Sequence, residues 1–136
     1  MDRRRGRHPE RGDSLVEFAV SVVLFLTTIF GTMEFGLGVW QYNMLSNLAQ
    51  EGARWAAVRG STAGSPADAA AVRAFVESRS LGLALTAVTT TWPDAGDNAP
   101  GKRVQVVVQK DFTPLTLLLP HTTLPLSSRA QMIIAR

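Results

Sequence analysis

Residues 18–33, FAVSVVLFLTTIFGTM, carry no charge, and the wider apolar stretch 15–40 carries only Glu17 and Glu34. At a rise of ~1.5 Å per residue the uncharged run makes about 24 Å of helix, and its apolar flanks extend it past a hydrocarbon core of ~30 Å. Valine, isoleucine and threonine lower helix propensity in water. Inside lipid, however, every backbone N–H and C=O must be satisfied within the chain, so a helix is the expected form. This one segment commits the chain to being built around a long helix.

The charge is equally uneven. Of a net charge of +3, all lies in the first 12 residues, where Arg3, Arg4, Arg5, Arg7 and Arg11 face Asp2 and Glu10. The remaining residues are formally neutral, which removes the support a high pI would give to a nucleic-acid partner. A basic head beside an apolar segment favours a cytoplasmic N-terminus, so the C-terminal part is expected outside the membrane. No small-x-small site closes the apolar run, which argues against ordinary signal-peptide removal. With no cysteine, disulfide frameworks, cysteine nucleophiles and thiolate metal sites are excluded.

The helical pattern continues past the apolar run. Tyr42, Leu45, Ala49, Gly52 and Ala56 fall on one face, and Asn43, Asn47, Gln50, Glu51 and Arg54 on the other. One helix over 13–59 is expected, with small residues Ala49, Gly52 and Ala56 allowing close packing on a domain. Ser65-Pro66-Ala67-Asp68 reads as the start of a second helix, with Ser65 as N-cap, ending near Arg79 before Gly82 and turning Val72, Phe75 and Val76 inward. Strand patterns follow at 83–92, 103–112 and 126–135, the first two forming a hairpin across the loop PDAGDNAPG. TPLTLLLP, residues 113–120, reads as a short helix or an interfacial loop. The fold class is therefore α+β: a long N-terminal transmembrane helix continuing into a small extracytoplasmic domain with a second helix and an antiparallel sheet of about three strands. The expected organisation is a basic cytoplasmic leader over 1–12, a transmembrane helix over 13–40 and an outer domain over 41–136.

Gly12, Asp13, Glu17 and Phe18 stand where the basic head meets the apolar helix. Their arrangement resembles the processing site of type IV prepilins, where a membrane aspartyl peptidase cuts after the glycine and leaves the glutamate fifth in the mature chain. The resemblance implies a cut between Gly12 and Asp13 and removal of the leader. Glycine lets an extended backbone approach a protease closely. The new amine at Asp13 would then find Glu17 one turn away on its own helix, or adjacent on a neighbour's. The bland alternative is that Glu17 snorkels to the headgroups and Gly12 is a linker residue.

The blocks RGDSLVEFAV, GTMEFGLGVW and LSNLAQEGARWAAVRG, with RVQVVVQKDFTPLTLLLP and LSSRAQMIIAR, resemble the TadE-like family, the minor pseudopilin-type proteins of tight-adherence (Flp) pilus systems. This implies a structural subunit anchored in the bacterial cytoplasmic (inner) membrane. Its implied partners are a prepilin peptidase, other pilins or pseudopilins, the pilus membrane platform with its ATPase, and the lipid bilayer; no cofactor is implied. Glu34 reads either as a contact to a partner helix or as an interfacial carboxylate facing water. Glu51 and Arg54 read either as an assembly contact or as an i,i+3 surface pair. Trp40 and Tyr42 fit an interfacial aromatic belt, and Trp55 fits a core position. Arg11-Gly12-Asp13 is an integrin-type tripeptide that processing would split. His8 and His121 are isolated, and Asp94 and Asp97 lack calcium-loop spacing, so no metal or catalytic site is expected. The rival readings are an uncleaved membrane-anchored module that binds an envelope partner, and a small membrane-bound enzyme, for which no cluster of titratable groups is seen.

Overall fold

A computed structural model describes residues 10–114 and 123–135. Helix α1, Glu10–Ala57, is 48 residues long, or about 72 Å at ~1.5 Å per residue. Its first half stands clear of the rest of the chain, with Phe18, Leu24, Phe25 and Met33 each more than 60% exposed. Two hydroxyls in this half turn back on the helix: Thr28 donates to the Leu24 carbonyl at 2.9 Å and Thr32 to the Thr28 carbonyl at 2.8 Å. Neither needs water as a partner.

The second half packs. Leu45, Leu48, Ala49, Gly52, Ala53, Ala56 and Ala57 are buried, while Asn43, Asn47, Gln50, Glu51 and Arg54 are exposed. Tyr42, expected on the apolar face, is instead half-exposed, because the buried stripe starts one turn higher at Leu45. Helix α2, Ala69–Arg79, buries Val72 and Val76 against α1. Its N-cap is Asp68, whose Oδ1 accepts the Ala71 N–H at 2.7 Å, not Ser65. The Ala67 N–H already donates to the Arg59 carbonyl at 2.7 Å, which ties the lead-in to the end of α1 and delays the helix. The chain leaves α2 through Leu81 at φ 50° and Gly82 at φ 81°, the left-handed region that ends helices.

Strands β1, Ala87–Thr91, β2, Arg103–Phe112, and β3, Leu124–Ile133, form one antiparallel sheet in the order β1-β2-β3. β1 begins later than the expected residue 83, because Leu83 and Leu85 pack against the core without entering the ladder. In β2, Val104, Val106 and Val108 are wholly buried. α1 lies against β2 and β3, and α2 against β1. The Ala135 N–H donates to the Ala57 carbonyl at 2.8 Å, joining the end of β3's strand path to the end of α1. The expected short helix or loop over 113–120 lies outside the described residues beyond Pro114, as do His121, His8 and most of the basic leader.

Candidate functional site

Gly12, Asp13, Glu17 and Phe18 all sit on the free first half of α1. Asp13 and Glu17 are four residues apart, one helical turn, so their side chains share a face. Both are exposed, and Phe18 is 68% exposed beside them. Gly12 lies inside α1 rather than in an extended segment, and a Cβ there would meet nothing within 4 Å. Helical glycine costs roughly 0.5–1 kcal/mol relative to alanine, which weakens the first turn of α1.

Farther up, the sheet's base meets α1. The register pair Phe112↔Leu124 forms that base, and Phe112 approaches Gly38 closely enough that a Cβ there would lie 3.9 Å from its ring. Between helix and base runs an open groove of about 580 Å³, walled chiefly by Thr27, Glu34, Phe35, Gly38, Phe112 and Leu124. Its lining is almost all carbon. Glu34 is half-buried and lines this groove, a placement its sequence position between two glycines does not reveal.

Ala49, Gly52 and Ala56 are buried in this chain's own core. At Gly52 the fit is tightest, for an added Cβ would come 2.7 Å from a Val76 methyl and 3.3 Å from a Val106 methyl. Glu51 pairs across helices with Arg79 at 3.8 Å, not with Arg54 along its own helix. The Arg79 guanidinium also covers Phe75, which stacks on Trp55 at 5.1 Å, and Arg59 lies over the far face of Trp55 at 4.2 Å. Trp55 is thus half-buried and packed against the core, as expected, and also a member of an Arg–Trp–Phe–Arg stack.

Asp94 serves its own loop. Its carboxylate accepts the Arg103 guanidinium at 2.6 Å and the Arg103 backbone N–H at 2.9 Å. The hydrogen bond from the Arg103 side chain, helped by the one from its backbone and by the arginine's charge, lowers the Asp94 pKa to about 2. Asp97 is exposed beside it. Among the described residues no group of His, Asp and Glu side chains is placed to hold a metal.

Residues 12–54 match the family model of TadE-like proteins. The matched segment begins at Gly12 and lies wholly on α1, stopping short of α2 and the sheet. Comparison with curated proteins and with solved structures gives no match. Within the segment, α1 has the length and composition to cross a membrane, which fits a single-pass membrane protein.

Proposed function

We propose that the protein is a minor pseudopilin-like structural subunit in the assembly of a tight-adherence (Flp-type) pilus, matured by a prepilin peptidase that cuts between Gly12 and Asp13. The observation that carries this reading is the TadE-like match beginning at Gly12 on a helix whose first half is apolar and bare. The leader over 1–12 is removed on the cytoplasmic side. Residues 13–40 anchor the mature chain in the inner membrane, and the domain over 41–136 follows on its outer side.

Cleavage replaces a peptide bond by a cationic amine on Asp13, one turn below Glu17. In a bundle of such helices the amine and carboxylate neutralise each other, within one chain or between neighbours. A carboxylate near a helix end costs less than the ~2.5–3.5 kcal/mol of one at the bilayer centre. The protein acts as a peptidase substrate and as a component handled with other pilins by the pilus membrane platform; it performs no catalysis.

The test is intact mass and N-terminal sequence of the protein extracted from membranes, with and without the prepilin peptidase of its own cell. A peptidase-dependent start at Asp13, lost in a Gly12 variant with a bulky side chain, is the expected result. An unprocessed arginine-rich head in both samples would refute processing and leave an uncleaved membrane-anchored envelope-binding module.

A further inference from the structure

The groove between α1 and the base of the sheet is not used by the function proposed above. It follows α1 from Thr27 to Tyr42, about 22 Å at ~1.5 Å per residue. Counting from Leu15, the first apolar residue, a hydrocarbon core of ~30 Å takes about 20 residues and ends near residue 34. The lower part of the groove, from Thr27 to Glu34, therefore falls at the depth of the outer leaflet. Its upper end lies at the level of the exposed aromatics Trp40 and Tyr42, the residue types that settle at a membrane interface. Its described walls continue the bare apolar surface of α1. Among the described residues Glu34 is the one charged residue lining it.

We propose that this groove holds an acyl chain of a membrane lipid, so that the base of the sheet at Phe112 and Leu124 rests in the outer leaflet instead of standing clear of it. The inference rests on α1 spanning the membrane. Water against this much carbon is unfavourable, and the groove opens sideways onto the surface that faces hydrocarbon. Glu34 marks the headgroup boundary.

The chain lacks cysteine, so single labels can be placed cleanly. Full-length Gly38→Cys and Leu124→Cys variants, nitroxide-labelled in phosphatidylethanolamine and phosphatidylglycerol vesicles, are compared by power saturation with oxygen, which partitions into lipid, and with a water-soluble nickel chelate. Val23→Cys on the free half of α1 and Asn47→Cys on its polar face are the references. Both groove labels should show an oxygen-to-nickel ratio between those of Val23 and Asn47 and well above that of Asn47. A ratio matching Asn47 means a water-filled groove and overturns the proposal. Exclusion of both reagents overturns it as well, showing protein in the groove, from this chain or a second copy. A nickel-accessible Val23 label would overturn the spanning helix itself, which separates that failure from failure of the groove alone.

Discussion

Gly52→Ala tests whether the close approach of α1 to α2 and β2 is what holds the domain on the helix. The added carbon would sit 2.7 Å from Val76 Cγ2 and 3.3 Å from Val106 Cγ1, against ~3.5–4.0 Å for comfortable carbon contacts. Val76 cannot easily retreat. It is 1% exposed, its branched Cβ restricts χ1, and a Val72 methyl stands 3.8 Å from the same point. The two helices must separate by roughly 1 Å, an overpacking that typically costs ~1–3 kcal/mol. Alanine returns ~1 kcal/mol of helix propensity. An approach of 2.7 Å belongs to the upper part of the overpacking range, about 2–3 kcal/mol, so the expected net loss is about 1–2 kcal/mol.

Urea unfolding of the full-length protein in detergent micelles measures it, followed by near-ultraviolet circular dichroism, since Trp55 stacked on Phe75 reports the α1–α2 contact. Gly64→Ala is the control, because a Cβ there meets nothing within 4 Å and its backbone is unstrained; it should be neutral or stabilising by up to ~1 kcal/mol. Val76→Ala removes the obstructing methyls, so the double variant should be less damaged than the sum of the singles by about 1–2 kcal/mol. A Gly52→Ala protein as stable as the parent, or one whose effect simply adds to that of Val76→Ala, would refute the reasoning.

Further predictions concern the loop, the cap and the sheet. The Asp94 pKa is lowered from 3.8 to about 2, so its contribution is complete above pH 3.8 and is lost as the pH falls through about 2; acid titration of the parent should show destabilisation in that window, and Asp94→Asn should remove it. Asp68→Ala deletes the cap on the Ala71 N–H and should cost ~1 kcal/mol in thermal unfolding. Thr90 is buried in β1 with a hydroxyl that has no partner among the described residues; Thr90→Val keeps its shape, and denaturant unfolding should show it neutral or stabilising by ~1 kcal/mol.

What could be read from the sequence was what periodicity alone determines. The apolar run, the polar face from Asn43 to Arg54, the end of α2 at Arg79 and both ends of β2 follow from patterns spanning several turns or residues of one element. Features set by a partner distant in sequence were not legible. Ser65 and Asp68 both suit an N-cap, and the choice falls to Asp68 because Arg59 holds the Ala67 N–H. Glu51 has an oppositely charged neighbour at Arg54, yet Arg79 comes to it from α2. The groove at Glu34 forms where the Phe112 end of β2 and the Leu124 end of β3 meet α1 near Gly38, something no local pattern encodes.

The same distinction bears on how the free half of α1 relates to the domain. Gly31, Gly36 and Gly38 would weaken a helix in water, but all lie within unbroken α1, and lipid would penalise any opened backbone hydrogen bond there. From Leu45 to Ala57 the helix is fixed on two sides by α2 and the sheet and at its end by the Ala135 N–H. The domain consequently has no hinge of its own within α1, and the bare half is held in one direction relative to the sheet. Substitutions to proline near Gly36 would break that coupling without touching the core, whereas Gly52→Ala would loosen the domain while leaving the free half intact. The two defects are separable by comparing membrane insertion with the near-ultraviolet signal of Trp55.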